Sequence, residues 1–576
     1  LPILKKMNKL NNSEVLQITT VMPTMKKSLL ALAVAGTMAM SSLATAGEVT
    51  IAGTASDGTA IAAASTLVTA ADGVYGTILG DGTIAIGSAV ITNNATLYIN
   101  DAAADTDDDA ATFATISVAT GKTLTMVLGA DDDGAAANAA HNGAVVLGDI
   151  ISGLGTLTVK GQDNMVFNAP NTVLFGNGSA DTITLGALNV TGGTGTAADG
   201  GAITLTDIVG AVVVTTVNFS GGVGSASAEG ELGGALIVSE VAGAVSGTTY
   251  TISGGAGGVS YAGGNGGNGG AASTSIAGVA GVNGGASTMT LDTATSKANV
   301  TLASGAAGSA GADATGFSGG TAGAGGVATL ALTGAQTFTG NILTTGNGTG
   351  VLTTGGVTTI DGNIGSSTSL DLASLTTTAN LDVTGNVYVA AISIADQFSL
   401  TGTTDQVVSG TVTHASGVDD DLIVSAAVRN VTFNSAVSVK DLTLGAGSTT
   451  TFDSTVASVV TALNGTSTFT GAVTLTGAAT MAAGTTTTFS STVGTDSDIT
   501  GTTTANMTFN GAVTSTGNIA AGVGSTTAFN STVSAVNLSN SGAMTLKGAV
   551  TLSGTMTTVS GSTITLGSAF KAGSAA

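Results

Sequence analysis

Large apolar residues return along this chain at a nearly constant distance, and each return has the same shape. The unit is an apolar residue, a polar one, Ser or Gly, a small residue, then Val or Ile. It stands as Phe433-Asn434-Ser435-Ala436-Val437 and Phe452-Asp453-Ser454-Thr455-Val456. It recurs at Phe469–Val473, Phe489–Val493, Phe509–Val513, Phe529–Val533 and, with Leu leading, Leu546–Val550. The spacings are 19, 17, 20, 20, 20 and 17 residues. A looser form precedes it, led by Phe338, Ile360, Val383 and Val408 at spacings of 22, 23, 25 and 25. Read as one series, these are eleven consecutive units.

Residues i, i+2 and i+4 of a strand share a face, so the leading Phe and the trailing Val point the same way. The Ser or Gly between them suits a crowded interior or a corner. One unit cannot bury such a face alone, whereas a stack can. The expected fold is all-β, a parallel β-solenoid (β-helix) with coils of 17–25 residues and Gly-rich loop insertions. Strands stack about 4.8 Å apart, so eleven coils predict a rod of roughly 50 Å. Disorder from low complexity is the bland alternative. It provides no reason for large residues to stay in register.

Residues 47–330 show shorter apolar runs between turn signals, among them Thr123–Leu128, Gly155–Val159 and Thr182–Leu185. They predict a less regular solenoid leading into the regular one at 331–576. Two Gly-rich segments, 254–287 and 304–327, read as surface loops leaving the coils. Only three prolines occur, at 2, 23 and 170. Their scarcity suits continuous hydrogen-bonded sheet, because Pro removes a ladder donor.

The N-terminal region carries an address. Met25-Lys26-Lys27, an apolar run from Leu29 to Met40 and Ala44-Thr45-Ala46 have the layout of a secretory signal peptide. A membrane span needs roughly 20 apolar residues, more than this run offers. Cleavage is expected after Ala46, with residues 1–24 as upstream translation and an extracellular or cell-surface destination. Five of the 12 basic residues and one of the 35 acidic ones lie in 1–46. The mature chain therefore holds 7 basic against 34 acidic groups, a formal charge of −27. That charge repels nucleic acid. There is no Cys, so stability falls to packing and backbone pairing.

Enzymatic motifs are scarce. Gly264–Gly269 fits G-x-G-x-x-G, as any Gly-rich tract does, and lacks the strand–turn–helix context. Polysaccharide-cleaving β-helices need clustered carboxylates with a cation or Arg, and this chain has one Arg, Arg429. No catalytic residue is expected. Acidic clusters are better candidates, because calcium takes several hard oxygen ligands. They comprise Asp105, Asp107, Asp108 and Asp109; Asp131, Asp132 and Asp133; and Asp419, Asp420 and Asp421. Asp181 closes a partial match to a calcium-binding nonapeptide, and Asp496 with Asp498 forms a smaller pair. For each cluster a solvated acidic loop is the plainer expectation, and no cofactor is required for the fold. Thr runs at 449–451, 485–488 and 502–504 raise ice binding. They fall at expected coil turns as often as within strands, which favours simple stacking.

The Thr-Phe-Asn-Gly-Ala-Val and Phe-Asn-Ser-Thr-Val units resemble those of bacterial β-strand-repeat surface proteins. These include autotransporter passengers of the rickettsial outer-membrane type and some S-layer-like proteins. The resemblance covers mainly 331–576. It implies a right-handed β-solenoid displayed on a Gram-negative cell as an adhesive or structural rod. The alternative is a self-assembling surface layer held by Ca²⁺. Expected partners are further copies of the chain or a host or neighbouring cell. Autotransporters end in a membrane barrel. Here repeat-like sequence runs to Ala576, so a truncated C-terminus or another anchor is expected.

Overall fold

The computed structural model describes separate stretches, mostly strands, between Glu48 and Ala303. It then describes 327–573 apart from 368–369, 415–420, 427 and 572. Residues 25–46, expected to be a signal peptide, lie outside these residues. So do the two Gly-rich segments, except for Ser287 and Val327.

The described chain is all-β, with no helix, and every pairing between its named strands is parallel. It is a β-solenoid with three strand-bearing faces per coil, and in some coils one strand runs over two of them. In the coil that begins at Val473 the strands are Val473–Leu475 on the first face, Ala479–Met481 on the second and Thr486–Phe489 on the third. Each strand pairs with its counterpart one coil on: Val473 with Val493, Ala479 with Ile499 and Phe489 with Phe509. Strand 4-mers such as Thr-Thr-Thr-Phe alternate outward and inward positions. β-branched Thr and Val suit this pleated, half-buried surface.

The core is built of columns. One runs through Ile342, Ile364, Val387, Val408, Phe433, Phe452, Phe469, Phe489, Phe509, Phe529, Leu546 and Leu566, which makes twelve coils from Ile342 onward. Six successive Phe rings of this column stack face to face. Their centroids lie 4.8–4.9 Å apart and their planes 4–9° from parallel. A centroid spacing equal to the strand spacing means that the backbone ladder and the ring stack share one period.

The eleven units of the sequence do not form a single column. Phe338, Ile360 and Val383 lie on the second face, in a column that continues through Leu400, Val424, Leu444 and Leu463. Their trailing residues, Ile342, Ile364 and Val387, are the ones that lead through Val408 to Phe433. The physical reason lies in what the unit encodes. Large–polar–small–polar–aliphatic is the signature of a corner between two inward-facing strands. Upstream it marks the corner from the second face to the third, and downstream the corner from the third to the first. The two corners read alike and differ in place.

Variation in coil length is confined to corners. From the last inward residue of the second face to the third-face Phe, the longer coils take a step of eight residues, as from Met481 to Phe489. The 17-residue coils take a step of six, as from Leu463 to Phe469. The longer corner needs one left-handed residue, filled by Gly447, Gly484, Gly524 and Gly561, and by Thr504 at φ 59°. The corner from the third face to the first alternates Ser454, Gly471, Ser491, Gly511, Ser531 and Gly548. A Cβ on Gly511 would sit 2.2 Å from the Ser491 backbone. From Ser454 to Gly548 glycine thus alternates with serine from coil to coil, whereas Ser435 and Ser454 follow one another.

Corners where the backbone leaves the sheet are stitched by side chains. The Asn299 carboxamide oxygen accepts from the Asn341 N–H at 2.9 Å. Asn341 does the same for Asn363 at 2.9 Å, Asn363 for Asn386 at 2.8 Å and Asn386 for Val407 at 2.8 Å. Each Asn supplies the acceptor that its neighbour's buried amide would otherwise lack.

Two outcomes follow from this packing. Phe489→Ala removes a ring stacked on both sides and is expected to cost about 3–5 kcal/mol, read as a lowered urea midpoint. Thr504→Gly relieves a β-branched residue in the left-handed region. It is expected to raise the same midpoint by about 0.5–1 kcal/mol after glycine's greater unfolded-state entropy is allowed for. A lowered midpoint for Thr504→Gly would show that the Thr504 hydroxyl bond to the Thr503 carbonyl, 2.6 Å, outweighs the backbone strain.

Candidate functional site

Among the described residues the coils of the Phe column are filled by their own side chains. Inward positions are filled by Phe, Leu, Ile, Val and Met, with buried Thr450, Ser467, Thr487 and Thr527 in a separate column beside the ring stack. A gap bounded by Leu442, Phe469, Phe489 and other side chains is lined by apolar atoms and is too tight for a water molecule. Contacts with other molecules therefore fall to the exterior of the described residues.

Of the acidic candidates, Asp105, Asp107, Asp108, Asp109, Asp131, Asp132, Asp133, Asp181, Asp419 and Asp420 lie outside the described residues. Asp421 opens the second-face strand Asp421–Val424, half-buried, with Gln397 one coil before it and Asp441 one coil after. Among the described residues no three carboxylates or imidazoles come together as a metal site. Asp498 is occupied structurally. One carboxylate oxygen accepts from the Asn518 N–H at 2.7 Å and from its side-chain amide at 3.0 Å. Asn518 in turn accepts from the Asn537 side chain at 2.8 Å, and Asn537 from the Thr555 N–H at 2.7 Å. This is a second corner ladder, and it fixes Asp498 as an acceptor for backbone.

The Thr runs fall differently from expectation. Thr449–Thr451 lies within a third-face strand, as does 486–488 of the run 485–488, whereas Thr485 and Thr502–Thr504 occupy corners. In each of these strands the middle Thr points in and the outer two point out. Over eight coils the third face thus presents two outward columns. The first holds Asn430, Thr449, Thr466, Thr486, Asn506, Thr526, Ala543 and Thr563. The second holds Thr432, Thr451, Thr468, Thr488, Thr508, Ala528, Thr545 and Thr565. Twelve of these sixteen positions are Thr and none is charged. All are exposed or half-buried.

The signal for this array was present in the sequence as Thr-x-Thr directly before the repeat's Phe. Counting runs of consecutive Thr hides it, because a run mixes inward and outward positions. No protein-family model matches this chain, and neither a curated protein nor a solved structure is similar to it.

Proposed function

We propose that the chain is the rod of an exported bacterial cell-surface protein, passenger-like, with a structural or adhesive role. The observation that carries this reading is the uniformity of the described length. One coil is repeated with a filled interior among the described residues, which favours binding spread along an exterior. The leader-like segment 25–46 supports export, and the repeat's resemblance to bacterial surface proteins supports display.

A surface layer built from the same rod is the second reading, and the charge favours a cation in it. Side-by-side packing of chains that each carry about −27 brings like charges together unless a divalent ion neutralises them.

The test of export is made on intact cells that produce the chain. A mature N-terminus at Gly47, together with surface labelling of unbroken cells, is the expected result. Retention of 25–46 with labelling only after lysis would overturn the proposal. For the layer, light scattering of the purified chain with and without EDTA is decisive. Assembly that dissolves on chelation and returns with Ca²⁺ is expected of a layer, and an assembly state indifferent to EDTA removes it.

A further inference from the structure

We propose that the outward surface of the third face, over the coils from Asn430 to Leu566, is a binding surface for ice. The inference goes beyond a role as surface rod and does not rest on it, because it concerns the purified molecule wherever it resides.

Parallel sheets ordinarily twist by roughly 20–25° per strand, and flat ones need a specific side-chain ladder. Here the ladder is the Phe column directly behind the face. Its rings turn only 4–9° from one coil to the next. The third-face strands pair in register from Asn430 to Leu566. The outward side chains therefore inherit a flat grid. Its axial step is the 4.8–4.9 Å of the ring stack. Its transverse step, between residues i and i+2 of a strand, is roughly 6.6 Å. The first step lies close to the repeat of hexagonal ice along its a axis, and the second close to its repeat along c.

The side chains on the grid match the geometry. Thr offers a hydroxyl that can take a place in a water lattice and a methyl that fills space between lattice waters. Its β-branching leaves few rotamers, so the grid is preordered. The hydroxyls of Thr451, Thr468, Thr488, Thr508 and Thr545 form no hydrogen bond among the described residues and remain free for water. Charged side chains bind water strongly in their own geometry, and the grid has none although the chain is acidic.

Other occupants fit less well. A crystalline polysaccharide is gripped by aromatic rings lying flat against sugars, and the aromatic residues of this face all point inward. A second copy would have to bury hydrated hydroxyls against hydrated hydroxyls with little apolar area to drive association.

The experiment uses the purified full chain, examined in a nanolitre osmometer for a gap between melting and freezing points and for faceting of ice crystals. The native chain is expected to show both. Thr488→Lys, in the centre of the grid, is expected to reduce the gap at least fivefold. Thr480→Lys, outward on the second face, is expected to leave it unchanged. Circular dichroism of both variants confirms that the coil is intact. If Thr488→Lys fails to fold, Thr488→Gln serves in its place. The proposal is overturned by a native chain that neither shapes ice nor shows a gap, or by equal effects of the two Lys variants. It is also overturned if the native chain leaves ice unshaped yet sediments with crystalline cellulose, or forms a dimer that Thr488→Lys abolishes.

Discussion

Parallel pairing of each coil with its own counterpart one step along the axis is the interaction on which everything else here depends. It places like residues over like, so a residue type chosen once is chosen for a column. A Phe in one coil gains a ring above and below only if neighbouring coils also supply Phe. From Phe433 to Phe529 they do, with every centroid step at 4.8–4.9 Å. Stability in such an array is a sum over neighbouring coils. This is how a chain without Cys, with few aromatics and with 88 glycines sustains an ordered core.

The same pairing explains where the sequence is free to change. A residue gained or lost inside a strand would reverse every side chain beyond it. Residues gained or lost at a corner leave the columns alone. The coils of 17, 19 and 20 residues differ only there, and the left-handed glycine appears in the longer corner and vanishes from the shorter one. The Asn and Asp ladders belong to the same economy of position. They supply acceptors at corners, where the sheet itself supplies none.

The solenoid class was legible because large residues kept in register at about 20 residues have few other physical uses. What was hard to read was the register between the two halves of the repeat region. Phe338-Thr-Gly-Asn-Ile342 and Phe433-Asn-Ser-Ala-Val437 look like one motif, yet they sit at different corners. Local pattern reports that a corner exists. Only the pairing between coils tells which corner it is. The outward Thr columns were missed for a related reason. Whether Thr450 or Thr451 faces out is decided by the Phe that follows, and a run of three identical residues gives no parity of its own. The acidic clusters are a different case. Asp498 shows how a carboxylate at a corner can be consumed by backbone amides, a use that spacing alone does not distinguish from ligation.

Outward positions are the ones that the fold leaves open, so a regularity among them calls for a cause outside the core. Strand propensity is the first cause to weigh, since Thr is favoured in sheets. The first face supplies the comparison, because its strands have the same spacing and the same parallel pairing. Its outward column reads Ser438, Ala457, Thr474, Gly494, Thr514, Ser534, Thr551 and Lys571. Three of those eight are Thr, against twelve of sixteen on the third face, and a Gly and a Lys are tolerated. Propensity acts on both faces alike and does not produce that contrast. The third face differs in being backed by the Phe stack, whose rings turn only 4–9° from coil to coil. Uncharged hydroxyls are concentrated on the face that this stack supports, and that coincidence ties the exterior to the core.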